Sequence, residues 1–328
     1  MNYQKQQIKE GINLHTIETN KFKTNLLSVF LTMPLSRDLV TKEALIASVL
    51  RRGSKLMRTS EEISITLEEM YGASFNCGIE KIGENHIIKF YLETINDEFL
   101  PEKEDILQKA LNTLFEIVFN PLVEDGKFKE EYVKQEIENL KQIIEGKKDD
   151  KARYALERTV EEMYKHKPYA LYKYGYIEDM EKIDSNNLYK SYQDMIKSCK
   201  IDIFVSGKID INNTKTIVEQ NELIKNFDGR KYNKSQEQLL EKQKEAREIK
   251  EEMDITQGKM VIGLTIDDTN LASKYVALVY NTILGGGANS KLFQNVREKA
   301  SLAYTARFKL FKTNEQHIHT LWNRSSKL

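Results

Sequence analysis

Cysteine is nearly absent from this chain. Its 328 residues include two, Cys77 and Cys199, far apart and neither in a CxxC pair nor beside a histidine. Both read as reduced, partly buried thiols of a cytosolic protein. Net charge is absent too, with 50 Lys+Arg against 50 Asp+Glu. There is then no electrostatic reason to expect nucleic acid or an anionic membrane as partner. No apolar run approaches the ~20 residues of a membrane span. The first residues, MNYQKQQIKEGINLHTI, lack the apolar core of a signal peptide. The expectation is a soluble, cytoplasmic protein. The five histidines are His15, His86, His166, His317 and His319, and no pair has H-x-x-E-H spacing. His317 and His319 could share a strand face, but read as a chance pair. Ser54 and Ser290 follow glycine-containing stretches without forming G-x-S-x-G.

What is present is an alternation of strand and helix patterns over a length that suits two domains. Residues Ile12 to Met33 read as two strands ended by Pro34. Thr41 to Leu50 reads as a helix stopped by Gly53, and a second helix follows Ser60 with Glu61 and Glu62 in its first turn. Ser74 to Glu80 and His86 to Thr94 read as strands around Gly83-Glu84-Asn85. Pro101 suits a first helical position, and apolar residues at helical spacing follow to Phe119. Further helices are expected at Phe128–Ile144, Lys151–Tyr164, Asn186–Ser198 and near Asn213–Lys225. Lys200 to Ser206 reads as a short buried strand closed by Gly207. This order points to an α+β fold, helices layered on a sheet.

Residues 227–253 are dense in charge, and their core, KSQEQLLEKQKEAREIKEEM, lacks Pro, Gly and aromatics. They read as a solvated helix or an extended linker. After it the chain repeats itself. Ser28 to Met57 and Met260 to Phe293 each read strand, polar turn, apolar helix, glycine, small polar residue, lysine, large apolar residue. Leu31-Thr32 matches Leu264-Thr265, and Gly53-Ser54-Lys55 falls near Gly287 to Lys291. Expected domains are 1–226, the linker 227–253, and 254–328.

The densest stretch holds Gly285-Gly286-Gly287, Ser290-Lys291-Leu292-Phe293, Arg297-Glu298-Lys299 and Leu302-Ala303-Tyr304. With these residues the chain resembles the M16 (insulinase/pitrilysin-like) peptidase family, loosely over its whole length and tightly over Met260 to Phe311. The resemblance implies two similar two-layer α+β halves, each an antiparallel-type sheet packed with helices, forming a clamshell. It also implies substrate-binding roles for Gly285, Gly286, Gly287, Arg297 and Tyr304. In the peptidases the Arg and Tyr hold the substrate backbone and stabilise charge on the scissile carbonyl.

Active members carry H-x-x-E-H on a helix of the first half, two histidines for zinc and a glutamate to activate water. Here those positions are Ala44, Ala47 and Ser48, which can neither hold zinc nor accept a proton. The family's third ligand, a later Glu, falls in Gln135 to Ile144. One register places Ile143 at the ligand with Glu136 at the earlier Glu; a slipped register makes Glu136 the ligand. Neither restores a metal site, so no cofactor is expected, although active relatives hold zinc. The chain further resembles a bacterial subgroup associated with 5-aminopentanol modification of elongation factor P. It shares T-K-E-A-L, L-x-R-G-S-K, Q-E-x-x-x-L, Asp149-Asp150-Lys151 and R-E-K-x-S-L-A-Y, and its members occur beside an HxxEH-bearing relative.

The leading expectation is a catalytically inactive subunit that binds a peptide or protein substrate beside an active, paralogous M16 partner. A stand-alone peptide-binding or scaffold protein is a second, and an active peptidase with a displaced zinc site a third. Far fewer residues follow Met260 than a complete second half needs, so a truncated or frameshifted product is also expected.

Overall fold

The computed structural model describes residues 2–102, 104–227, 231–232, 246–266, 271–312 and 317–324. The chain divides into two compact units, residues 1–144 with 172–235, and residues 145–171 with 236–328.

The first unit is a six-stranded sheet layered with helices. Its strands are β1 (Asn2–Lys9), β2 (Ile12–Glu18), β3 (Thr24–Pro34), β4 (Ser74–Ile82), β5 (Asn85–Ile95) and β8 (Lys200–Gly207), in the order β1-β2-β8-β3-β5-β4. Every neighbouring pair is antiparallel except β2 with β8. The period-2 pattern decides the faces. Leu27, Val29 and Leu31 of β3, Ile88, Phe90 and Leu92 of β5, and Ile201, Ile203 and Val205 of β8 are fully buried. Two-residue strands β6 (Val123–Glu124) and β7 (Lys127–Phe128) form a small ribbon.

Helices α1 (Val40–Leu50), α2 (Ser60–Glu68), α3 (Ile106–Phe119), α4 (Glu130–Glu145), α6 (Ile177–Met180), α7 (Ser185–Ser198), α8 (Ile211–Gln220) and α9 (Glu222–Lys225) complete the unit. One apolar cluster joins the inner sheet face to α1, α3, α4, α7 and α8. α1 is buried nearly all round, which suits a run with almost no polar face. Helix starts follow local capping. The Thr59 hydroxyl accepts from Glu62 N, and Asp184 with Asn187 forms a capping box at α7. Pro101 does not open α3, as the sequence suggested. The helix starts at Ile106, because Asp105 accepts from Gln108 N and so satisfies the first turn.

The second unit holds α5 (Lys151–Met163), β9 (Lys259–Ile266), α10 (Leu271–Gly285), a π-helical segment Phe293–Lys299, β10 (Thr305–Lys312) and β11 (His317–Arg324). Its sheet runs β10-β11-β9, all antiparallel. This is the arrangement β4-β5-β3 of the first unit, in the same chain order and with α10 where α1 stands. The repeat read from the sequence is thus a repeat of topology.

The expected boundaries place α5 in the first domain, whereas it belongs to the compact unit of β9. Gly263 provides the reason. A Cβ there would run into Met163 Sδ and lie 3.2 Å from Thr159 Cγ2, so the bare backbone lets α5 approach the strand. Of the expected linker, 228–230 and 233–245 lie outside the described residues. Its described end, 246–253, has no regular secondary structure and is tied to α5, where Glu251 accepts from Arg158 Nε at 2.7 Å and from the Tyr154 hydroxyl at 2.9 Å.

Candidate functional site

α1 carries Ala44, Ala47 and Ser48, the positions at which the resemblance places the zinc motif of active peptidases. Ala44 and Ala47 are buried in the main core cluster, and Ser48 is half-buried. The Cys77 thiol of β4 donates to the Ala47 carbonyl at 3.4 Å. Burial pushes this thiol up to about 12, so it stays protonated at neutral pH and is neither a ready ligand nor a nucleophile. Ser54 is fully buried and closes a tight turn, its Oγ accepting from Met57 N at 3.0 Å. A nucleophilic role has no access there.

Glu136 is buried on the inner face of α4 beside Val133 and Leu140, while Ile143 is exposed. Its charge is met by an arginine. Arg52 Nε lies 3.6 Å from Glu136 Oε1, and the guanidinium covers the Tyr132 ring at 5.1 Å. A second guanidinium nitrogen donates to Gln135. The two groups lie within ion-pair range but share no hydrogen bond, and Arg52 Nε and Glu136 Oε1 are both buried without a hydrogen-bond partner among the described residues.

Zinc does not fit the residues present. Two alanines and a serine stand at the motif, the nearest thiol keeps its proton, and Glu136 is paired to Arg52. Among the described residues, no group of three or more His, Cys, Asp and Glu side chains is placed to hold a metal. His317 and His319 fall on β11, and their side chains lie outside the described residues.

Two polar clusters escaped the sequence reading. Glu43, one residue before Ala44, meets His86 of β5, Oε2 to Nδ1 at 2.6 Å, with both side chains buried. His86 Nε2 must donate to the Lys173 carbonyl at 2.8 Å, because a carbonyl only accepts. Nδ1 and the Glu43 carboxyl then share one proton. The only signal in sequence was a glutamate inside the apolar run of α1.

The second cluster lies on the opposite sheet face. Asp202 Oδ1 accepts from His15 Nε2 and Asn13 Nδ2, each at 3.0 Å, and Lys200 Nζ lies 2.6 Å from Oδ2. Burial pushes this carboxyl up, but the three donors outweigh it and hold it below the usual carboxylate range. Rings continue the row across five strands: Tyr3, His15, Phe204, Phe30 and Tyr91, with successive centroids 4.2–6.0 Å apart.

The glycine-rich stretch divides by role. A Cβ on Gly285 would run into the Phe308 backbone of β10, and one on Gly286 would lie 2.7 Å from Thr282 Cα; around Gly287 there is open space. Arg297, on the π-helical segment, stacks over Phe293 at 4.5 Å and lies 3.6 Å from Glu298. Its side chain is exposed, as is Tyr304, which immediately precedes β10. The backbone turns between them at Ser301, with φ 49°. Among the described residues no helix is long and apolar enough to cross a membrane.

Comparison with known proteins agrees with this geometry. Residues 182–321 match the family described as peptidase M16 inactive domain. A Bacillus subtilis (strain 168) protein named probable inactive metalloprotease YmfF is 38% identical over 305 residues, spanning 90% of this chain and 69% of that protein. A conserved protein from Enterococcus faecalis V583 superposes with a TM-score of 0.82 at 28% identity, covering 98% of this chain and 76% of that one. A peptidase M16 inactive domain from Pseudomonas fluorescens gives 0.75 at 18% identity, covering 99% and 74%, a likeness of fold. The motif helix without ligands, the repeated α+β units and these relatives lead to one conclusion: the chain belongs to the M16 peptidase family, as an inactive member.

Proposed function

We propose that this inactive M16 homologue serves as the accessory, substrate-binding subunit beside an active, HxxEH-bearing relative. The observation that carries the reading is a contrast within one chain. At the positions the resemblance assigns to the zinc motif, Ala44 and Ala47 are packed into the core and Ser48 is half-buried, while Arg297 and Tyr304 are displayed to solvent. A protein that had lost both chemistry and substrate contact would have no use for an exposed Arg and Tyr flanking a constrained turn. In this reading Arg297 and Tyr304 hold the backbone of a peptide or unfolded protein segment, and the zinc and its water come from the partner.

The test is to tag the full-length chain and identify what co-purifies from its native lysate. A near-stoichiometric HxxEH-bearing relative supports the reading. Arg297→Ala should then weaken peptide cleavage by the pair by about a hundred- to a thousandfold, the range of one lost oxyanion-stabilising donor, without dissociating it. Recovery of the chain alone would sink the reading. The row of rings across the first unit's sheet favours a second reading, a stand-alone peptide-binding protein in which extended apolar segments lie on that face. It predicts retention of unstructured peptides by the isolated chain, weakened by Phe204→Ala.

A further inference from the structure

The polar cluster around Asp202 continues outward to a phenol. β1 and β2 pair with Tyr3 across from Ile17 and Lys5 across from His15. Side chains alternate along a strand, so Tyr3, Lys5, His15 and Ile17 share one face, and the Tyr3 ring reaches diagonally to His15. There the Tyr3 hydroxyl lies 2.8 Å from His15 Nδ1, and His15 Nε2 lies 3.0 Å from Asp202 Oδ1. His15 and Asp202 are each 7% exposed, whereas Tyr3 is 55% exposed. The row therefore runs from a buried carboxylate, through a buried imidazole, to a phenol at the surface.

Chemistry fixes the direction of each hydrogen bond. Asp202 accepts from Asn13 Nδ2 at 3.0 Å and lies 2.6 Å from Lys200 Nζ, and with His15 these groups keep its carboxyl below the usual range. An ionised carboxylate only accepts, so His15 Nε2 carries a proton and donates it. Nδ1 of the neutral ring is then an acceptor, and the Tyr3 hydroxyl donates to it. Phe204 stacks on the imidazole at 4.2 Å with an interplanar angle of 10°, which holds the ring in this orientation. A hydroxyl, a base within reach of its proton and a carboxylate that orients the base form the arrangement by which weak oxygen nucleophiles are activated. The Glu43–His86 pair makes the contrast. Its second ring nitrogen is spent on the Lys173 carbonyl, so it has no acceptor left for a nucleophile.

We propose that Tyr3 is a self-acylation site that takes an acyl group from a thioester or aryl ester, with His15 as its base and Asp202 as the residue that positions the base. The Tyr3 oxygen bonds to the acyl carbon, and the bond from that carbon to the leaving sulfur or oxygen breaks. The phenol proton passes to His15 Nδ1 and from there to the leaving group; nothing is oxidised or reduced. The donor class follows from the acceptor. A free phenol ionises near about 10 and a free thiol near about 8.5, so a phenol ester forms readily only from a donor whose leaving group is no more basic than a phenol. Phe204 and Phe30, partly buried and next along the row, give an apolar floor for the acyl chain. Exposed Lys5 brings a positive charge to the face where the carbonyl oxygen gains negative charge. The inference is independent of the accessory-subunit reading, since it needs neither Arg297 nor a partner.

The experiment incubates the 328-residue chain with p-nitrophenyl butyrate and maps the butyrylated residues by tandem mass spectrometry. A second sample is treated with hydroxylamine, which removes phenol esters and leaves lysine amides. Tyr304, 61% exposed, is the reference for exposure alone. The expected result is a hydroxylamine-labile label on Tyr3 that forms about a hundredfold or more faster than on Tyr304, the range of assistance by a positioned base. Tyr3→Phe, which keeps the ring, should remove the label, and His15→Gln should lower the rate to that of Tyr304. Asp202→Asn should slow labelling and also move the rising limb of its pH profile to lower pH, because the imidazolium loses the carboxylate that stabilises it. The proposal is overturned if Tyr3 labels no faster than Tyr304, or if the label falls only on lysines and the terminal amine. Both outcomes are read on the unaltered chain, so they do not depend on any variant folding. A pH limb that stays in place in Asp202→Asn overturns it equally.

Discussion

Glu136 is a carboxylate buried on the inner face of α4. A buried carboxylate costs several kcal/mol unless a positive group meets it, and the nearby cation is Arg52, 3.6 Å away. Rebuilding the motif with Ala44→His, Ala47→Glu and Ser48→His should therefore not restore zinc. Ala44 and Ala47 are buried in the core cluster, and enlarging each should cost about 1–3 kcal/mol through overpacking. Denaturant unfolding and metal analysis of the triple variant check this; stoichiometric zinc in a protein of undiminished stability would refute it. Beside this helix, Asp179 illustrates a charge that responds to pH. Burial pushes its carboxyl up, but the hydrogen bonds from Arg37 and Thr41, with the Arg37 charge, prevail and leave it below the ordinary value. A depressed carboxyl stabilises the fold fully above the unfolded-state value of about 4 and loses that contribution as pH falls through the lower folded value. Asp179→Asn should thus be destabilised at neutral pH, with the gap to the parent chain closing below about pH 4. A gap that stays constant into acid would show that Asp179 acts without its charge.

At the scale of elements, legibility followed locality. The α1 helix, the β4–β5 hairpin and the inner face of α4 were readable because their periodicity sits within a dozen residues. β1 was missed because Asn2–Lys9 is a polar edge strand with no apolar alternation to mark it. The start of α3 was misplaced because a proline suggested one and an aspartate cap made another. The Glu43–His86 pair and the approach of α5 to Gly263 join residues far apart in the chain, and no local pattern encodes such pairings. The glycine stretch was legible as a turn, but not in its division of labour. Gly285→Ala should disturb the packing of α10 on β10 and cost about 1–3 kcal/mol, as forced overpacking does. Gly287→Ala meets open space and should leave stability within about 0.5–1 kcal/mol of the parent. Thermal unfolding of the two variants separates them. If Gly287 contacts substrate, its alanine variant should lose peptide retention while keeping its melting temperature.

For the whole molecule, the two compact units rest on unequal physical footing. The first closes its sheet with β8 and buries an apolar cluster that runs from β3 through α1, α3 and α7. Among the described residues the second holds a three-stranded sheet, and Met260, Ile262 and Leu264 of β9 with Leu278, Val279 and Ile283 of α10 are exposed. Each large apolar side chain moved from solvent into a core contributes about 1.5–3 kcal/mol. Six such residues left exposed in the second unit therefore imply a lower resistance to opening there. The Arg158 network with Glu161, Glu162 and Glu251 ties α5 to the segment before β9, but it lies partly in water, where ion pairs add little. Hydrogen exchange followed by mass spectrometry should show β9 and α10 opening by local fluctuations while β3, β5 and β8 exchange only through global unfolding. Denaturant titration should accordingly resolve two transitions, the earlier reported by the second unit's only tryptophan, Trp322. A single cooperative transition, with equal protection on β3 and β9, would mean that the units stabilise each other enough to unfold as one. These exposed side chains would then contribute far less instability than their number implies.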